Sequence, residues 1–326
     1  MKTARNNGFA WFATVLLPRV AVIFAVSVAI TSCAQDVKIT APRYALVYGV
    51  QNYQDPNLAD LTYTIADATS IAQVLGQQGW TTKLSPDSQA KRALIASDIQ
   101  NLATTIGPDS TVLLYFSGHG GQSNDRSTVL IAPWDFSFKR ISGSIVYING
   151  IAQIDESTTI SASELGIMLA ALPTKNVIVI FDSCNSGGFI SSSSTIDASP
   201  QDYSSMPSYS AFSTAMSNFG NLLVANASAS GGKTPIVLSA AGSAESSYDG
   251  TSAMAHGVFT YFLLQAATNG DSDGDGFVTM TEAYAYTAKS VQAWGAALTQ
   301  ADYNAGIYPF LPHLSGGTRD LVLFTK

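Results

Sequence analysis

Two short motifs in this 326-residue chain carry residue types that do nucleophilic chemistry: Ser117-Gly118-His119-Gly120-Gly121 and Asp182-Ser183-Cys184-Asn185-Ser186-Gly187-Gly188. A cysteine attacks a carbonyl as its thiolate, and an unassisted thiol is mostly protonated at neutral pH, so the nucleophile needs a base within reach. Cys184 is the candidate nucleophile and His119 the candidate base. Each motif closes an apolar, β-branched run, Thr111 to Phe116 and Val177 to Phe181, that reads as a fully buried strand. Open α/β sheets place their chemistry in the loops beyond the strand carboxyl ends, so two adjacent strands would deliver both side chains to one crevice. The backbone N–H groups of Gly120 and Cys184 would then serve as an oxyanion hole for a tetrahedral intermediate. A serine hydrolase is disfavoured, because no Gly-x-Ser-x-Gly elbow stands at a strand end.

A second motif, Asp271 to Glu282, satisfies the twelve-position calcium loop. Its oxygen ligands would be Asp271, Asp273, Asp275, the Phe277 carbonyl, Thr279 directly or through water, and a bidentate Glu282, with Gly276 making the turn. Without a cation, four carboxylates in one short loop would repel one another. Ca2+ is therefore the expected metal, structural or regulatory, and the peptide chemistry itself needs no cofactor.

The only other cysteine, Cys33, lies in a different setting. Lys2 and Arg5 give a basic start, and Val20 to Ile30 is an apolar run interrupted only by Ser27, the pattern of an export signal too short to span a bilayer comfortably. Ile30-Thr31-Ser32-Cys33 resembles the lipobox of bacterial lipoproteins, which implies lipidation of Cys33. The expectation is an exported, periplasmic or cell-surface protein that meets a membrane only through an N-terminal lipid anchor. Exported proteins use cysteines chiefly in disulfide pairs, so a solitary internal Cys184 flanked by Ser183, Asn185 and Ser186 points to reactivity rather than packing.

Residues 1–33 thus read as the signal, 34–42 as a linker and 43–326 as one large α/β domain. The formal charge of −7 disfavours nucleic acid and anionic membrane surfaces as partners. Strand and helix patterns alternate. Tyr44–Val50 and Trp80–Leu84 read as strands, and Leu61–Leu75 and Ala90–Ile106 as helices. Thr128–Ala132 with Ser144–Ile148 reads as a peripheral hairpin, and Ala162–Leu172 as a helix before the strand that ends at Cys184. A Ser-rich insertion follows at 191–232. Pro235–Ala241 then reads as a strand, Val258–Ala267 and Ala283–Trp294 as helices, and Leu321–Thr325 as a closing strand. Such a βαβ progression specifies a mostly parallel central sheet with helices on both faces.

These residues together resemble the caspase-like cysteine peptidases, in their metacaspase-type and bacterial caspase-domain branch. The resemblance is carried by Tyr48 to Tyr53, Ala66-Asp67-Ala68, Tyr115 to Gly120, Asp182 to Gly187 and His256 to Thr260. It implies a three-layer caspase-like sandwich and a His119–Cys184 endopeptidase acting through a thioester acyl-enzyme. Asn185 stands where metacaspases usually carry a histidine, and the Gln-Ala-Cys-Arg-Gly of true caspases, which cut after aspartate, is missing. Metacaspases instead prefer Arg or Lys, using an acidic pocket, and the matching positions are Asp67, Asp182 and, as a polar wall, Ser117. Two carboxylates in a partly desolvated pocket repel one another unless a cation bridges them.

The expected partners are protein or peptide substrates, and the expected state is a monomer. No Lys or Arg lies between Phe189 and Gly232, so an enzyme cutting after basic residues cannot process itself there; Lys139-Arg140 is the most loop-like of the remaining basic positions. The alternatives are a latent caspase-like module that binds or scaffolds, and a relative of the same clan, legumain-like or clostripain-like, that shares the His and Cys chemistry but differs in pocket, with Asn or Asp among the other specificities.

Overall fold

The strands of this chain alternate between two cores. In the computed structural model, which describes residues 39–183, 234–241, 246–317 and 319–326, β1 (Arg43–Gly49) turns Leu46 and Tyr48 to one face and Ala45 and Val47 to the other. Likewise β3 (Thr111–Ser117) sends Val112, Leu114 and Phe116 one way and Leu113 and Tyr115 the other. A strand buried on both faces must be apolar throughout, which is why these runs carry no polar alternation. Two helices cover the first face: α2 (Arg92–Thr105) with Ile95 and Ile99, and α3 (Ala162–Ala170) with Leu165 and Leu169. Three cover the second: α1 (Thr64–Gln77) with Ala68, Ile71 and Leu75, α4 (Val258–Asn269) with Phe259 and Leu263, and α5 (Met280–Ala296) with Ala283 and Val291. The result is the three-layer α/β sandwich expected from the sequence, and residues 41–326 make up this unit.

The central sheet has six strands in the order β14-β12-β11-β3-β1-β2, where β2 is Thr81–Pro86, β11 Asn176–Asp182, β12 Ile236–Ser239 and β14 His313–Gly316. All neighbouring pairs are parallel except β12 with β14. Strands β3 and β11 are adjacent and in register, with Ser117 opposite Asp182. Their carboxyl ends, followed by His119 and Ser183, therefore open onto one edge of the sheet.

Between β3 and β11 the chain makes small ribbons, and here the expected hairpin is corrected. Strand β5 (Val129–Ile131) pairs with β4 (Gly120–Gln122) and β10 (Ile160–Ser161), not with residues 144–148. Residues 140–152 instead form two short hairpins, β6 (Arg140–Ile141) with β7 (Ser144–Ile145) and β8 (Tyr147–Ile148) with β9 (Ile151–Ala152). Ser142 and Gly143 (φ 50° and 83°) close the first, and Asn149 and Gly150 (52° and 77°) the second, the left-handed pairs that two-residue hairpin turns demand. Nor is Lys139-Arg140 a loose loop. The Arg140 guanidinium grips both oxygens of the buried Asp55 at 2.7 Å, a bidentate fork. The closing strand is also reassigned: β15 (Val322–Thr325) pairs with β13 (Phe277–Thr279) beside the 271–282 loop, while β14 closes the main sheet. A short α6 (Gln300–Asn304), capped by Thr299, follows α5 where the sequence shows no helical stripe.

Gly49 marks where β1 and α1 touch. A Cβ there would lie 2.5 Å from the Thr64 carbonyl oxygen and 2.7 Å from Ala68 Cβ. Gly49→Ala is expected to cost about 1–3 kcal/mol of stability by prying the helix from the sheet. A urea titration would show this as a lower midpoint at unchanged slope. An unchanged midpoint would mean the contact yields freely.

Candidate active site

Beyond the ends of β3 and β11, Leu61, Thr64, Asp67, Ser117, Gly118, His119, Asp182 and Ser183 line a cavity of about 320 Å³, which Ser247, Tyr248, Asp249, Gly257 and Ile307 complete. Of the residues singled out from the sequence, His119, Asp67, Ser117 and Asp182 come together here. Gly120 opens β4 directly behind His119. Cys184, the 191–232 insertion, Cys33 and the rest of the 1–33 signal lie outside the described residues.

His119 is positioned by the loop between β1 and α1. That loop is pinned at several points: Val50 N donates to the Ser117 carbonyl, Gln51 N and Asn52 N to the Asp87 carboxylate, and Tyr53 N to Asp60. From this frame the Tyr53 hydroxyl accepts the His119 backbone N–H at 2.7 Å, and its ring lies 5.1 Å from the imidazole. Ala59 offers its carbonyl to His119 Nε2 at 2.8 Å. A carbonyl can only accept, so Nε2 bears the ring proton and Nδ1 carries the lone pair. His119 is 9 % exposed, and burial pulls its pKa below the usual imidazole range, with the Ala59 carbonyl pulling the other way. A neutral ring with a fixed tautomer can take up a proton at Nδ1. Gly118 permits the tight turn, since a Cβ there would meet the Phe116 ring at 2.8 Å and the Tyr53 hydroxyl at 2.9 Å.

Two carboxylates form the floor. Asp67 sits in the first turn of α1, 1 % exposed; its Oδ1 accepts from His256 Nδ1 at 2.9 Å and Gly257 N at 3.0 Å, and its Oδ2 from Ser117 Oγ at 3.2 Å. Asp182, the last residue of β11, accepts from Ser247 Oγ at 2.7 Å and Thr260 Oγ1 at 2.6 Å. The Thr260 proton is committed to Asp182, so Tyr115 OH, 2.6 Å away, donates to Thr260 Oγ1. Gly257 lies between the acids: a Cβ on it would be 2.9 Å from Asp182 Oδ2 and 3.1 Å from Asp67 Oδ2. Burial and the neighbouring Asp67 push the Asp182 carboxyl up to about 7. Burial also raises Asp67, against the hydrogen bonds from His256 and Gly257. Thr64 Oγ1, on the same cavity wall, is buried without a hydrogen-bond partner among the described residues.

The sequence did not single out Tyr53, Ser247, Thr260 or His256 for roles, although Tyr53, His256 and Thr260 lie in stretches marked for resemblance. Ala59 acts through its main chain and so leaves no side-chain signature.

At the far end of α4, Asp271, Asp273 and Asp275 bring carboxylate oxygens within 4.8 Å of one another. Gly274 and Gly276 take left-handed φ of 78° and 88° to allow the turn. Phe277 and Thr279 stand in β13, and Thr279 caps α5. Glu282 is not part of the gathered group. Its carboxylate accepts from Thr279 N at 3.0 Å and Ser272 N at 2.9 Å, bonds that hold it down at about 2.

The mixed six-stranded sheet, with its polar cavity at the strand carboxyl ends, defines an α/β protein of the caspase-like class. A family model of the caspase domain matches residues 42–301, and the chain belongs to that family, one of cysteine peptidases. No curated protein matches the chain. Among solved structures it is similar to caspase-1 from Spodoptera frugiperda, with 13 % identity, a TM-score of 0.54, and coverage of 88 % of this chain and 93 % of that one. It is also similar to a protein of Geobacter sulfurreducens, with 19 % identity, a TM-score of 0.51, and coverage of 87 % and 97 %. At such identities the likeness speaks for the fold alone.

Proposed function

We propose that this chain is a metacaspase-type cysteine endopeptidase that cleaves after Arg or Lys. The observation that carries the reading is the pair of buried carboxylates, Asp67 and Asp182, converging on one cavity with His119 at its rim. A guanidinium or ammonium entering that space would relieve the repulsion between the acids, and the Thr64 hydroxyl and Ser117 supply further polar wall. An aspartate side chain would meet like charge there.

In the proposed reaction His119 Nδ1 takes the Cys184 thiol proton, and the thiolate sulfur attacks the scissile carbonyl. The oxyanion is received by the Gly120 and Cys184 N–H groups. Collapse breaks the C–N bond, and the imidazolium gives its proton to the leaving amine, which leaves a thioester. Water, deprotonated by His119, hydrolyses the thioester and restores the thiol. The Ala59 carbonyl supports the reading because it stabilises the imidazolium that forms midway.

Paired fluorogenic peptides ending in Arg and in Asp test it, with protein lacking residues 1–33 beside Cys184→Ala. Cleavage after Arg that vanishes in the variant is expected. Preference for Asp or Asn would assign the chain to another specificity, and silence toward every peptide would favour a latent binding module.

We further propose that Asp271, Asp273 and Asp275 hold Ca2+, completed by the Phe277 carbonyl, Thr279 and Glu282. The gathered carboxylates and left-handed glycines fit the loop, and Glu282 would exchange its capping bonds for the metal. Saturating calcium is expected to raise the Tm by about 5 °C in wild type and to leave Asp273→Ala unmoved. Equal shifts in both proteins would place the cation elsewhere. The reading also takes the protein as an exported, Cys33-lipidated monomer with peptide rather than nucleic-acid partners. No helix of the described residues is long and apolar enough to cross a membrane.

A further inference from the structure

Strand β4 starts directly after His119 and forms one edge of the β10-β5-β4 sheet. Its register with β5 decides which main-chain groups it has left to offer. Ala132 N donates to the His119 carbonyl at 3.0 Å and Ser123 N to the Thr128 carbonyl at 2.9 Å, with Gly121 opposite Leu130 between them. Bonded and non-bonded pairs alternate along an antiparallel ladder, so Gly121 faces Leu130 while the N–H and C=O groups of Gly120 and Gln122 point away from β5. Among the described residues those groups have no hydrogen-bond partner. Gly120 is buried and Gln122 half-buried, and main-chain groups so placed call for a partner. Glycine at 120 and 121 puts no side chain in the way of an incoming strand.

The strand leads from His119 to a second cavity, of about 330 Å³, whose walls include Gln122, Asn124, Arg126, Ile148, Asn149 and Gln153. Arg126 is exposed, takes a left-handed φ of 60°, and its guanidinium has no partner among the described residues. None of the lining residues is acidic. The nearby carboxylates are turned elsewhere: Asp125 accepts from Ser123 Oγ and Ser127 N, and Glu156 from Asn124 N. This cavity is thus opposite in charge to the one floored by Asp67 and Asp182.

We infer that β4 and this cavity bind the substrate segment that follows the scissile bond, with Arg126 selecting an acidic side chain at the third residue after the cut. The inference rests on the peptidase reading and extends it to the leaving side. With the scissile carbonyl accepting from Gly120 N–H, the chain continues as a strand parallel to β4. The second residue after the cut then donates its N–H to the Gly120 carbonyl and accepts from Gln122 N–H. The third stands opposite Gln122, about 7 Å along the strand from Gly120, where β4 reaches the cavity.

Internally quenched peptides test this, carrying before the cut whichever residue the paired peptides favour and Glu or Gln at the third residue after it. In the wild type kcat/KM is expected to be about fivefold higher with Glu, the size of one partly exposed ion pair, and the two peptides should become equal in Arg126→Gln. N-methylation of the second residue after the cut, which removes the donor to Gly120, should slow cleavage about fivefold, whereas N-methylation of the third, whose N–H faces away from β4, should not. Independently of turnover, fluorescence anisotropy with Cys184→Ala should show the same preference for Glu in Kd. Equal rates with Glu and Gln in the wild type, a preference that survives in Arg126→Gln, or equal effects of the two methyl groups would overturn the leaving-side site while the peptidase reading stands. If the wild type cuts no peptide and Cys184→Ala binds none, the peptidase reading falls, and this inference with it.

Discussion

Replacing His119 by alanine is expected to lower kcat/KM for an Arg-ending peptide roughly a thousandfold, within the range that a positioned general base supplies. The circular dichroism spectrum should be unchanged, because the ring sits at the edge of the cavity and not in either apolar cluster. The loss should fall on kcat. The pH profile gives a second handle. Burial lowers the His119 pKa, so the base stays deprotonated to lower pH, and the acid limb of kcat/KM for a neutral peptide should fall below the usual imidazole range. Stopped-assay rates from pH 4.5 to 8 would check this. An acid limb above that range would mean that a different group is the base.

The second large effect is expected at Asp182. Asp182→Asn removes one of the two charges facing an incoming guanidinium, and kcat/KM after Arg should fall about a hundredfold, the cost of truncating one partner of a buried, hydrogen-bonded charge pair. A citrulline peptide should be little affected. Stability should move the opposite way. A carboxyl raised to about 7 in the fold, against about 4 in the unfolded chain, binds its proton more readily when folded. Its stabilising contribution is therefore complete below the unfolded value and is lost as pH rises through about 7. Asp182→Asn should match the wild type in Tm at pH 4 or below and exceed it at pH 8. Asp67, raised by the same burial, keeps part of the slope in the variant. Thermal melts across that range would show it, and a variant less stable at pH 8 would mean that the Ser247 and Thr260 hydroxyls hold the carboxylate more firmly than burial opposes it.

Much of the fold could be read from residues because its central strands are buried on both faces and must be unbroken apolar runs; β3 and β11 fall where those runs do. Helices α1 and α4 follow apolar stripes facing one core. The edges were harder to read. His313–Gly316 has no apolar alternation and contributes only Leu314 to a core, so nothing in its pattern marks it as the sixth strand. Leu321–Thr325 carried the strand signal, yet a run of apolar residues does not name its partner, and the partner is β13. The expected hairpin of 128–132 with 144–148 does not form, because pairing within 140–152 is set by two left-handed turns and the Arg140–Asp55 fork rather than by hydrophobic pattern. Within the site, His119 could be named because it follows the end of a buried apolar run, whereas Asp67, Ser117 and Asp182 could be named only through the resemblance to metacaspases. The groups that orient them act through a main-chain carbonyl, a hydroxyl or a histidine 189 positions away in sequence, separations that no local spacing encodes.

In the proposed reaction Cys184 attacks a carbonyl held in place by a basic side chain in the Asp67–Asp182 pocket. The most direct measurement is mass spectrometry of protein treated with a peptidyl acyloxymethyl ketone ending in Arg, beside its Asp-ending twin. One adduct per chain is expected, mapped to the peptide containing Cys184, formed rapidly with the Arg reagent, slowly with the Asp reagent, and slowed in His119→Ala. Labelling that ignores the side chain, or that leaves Cys184 unmodified in folded protein, would contradict it.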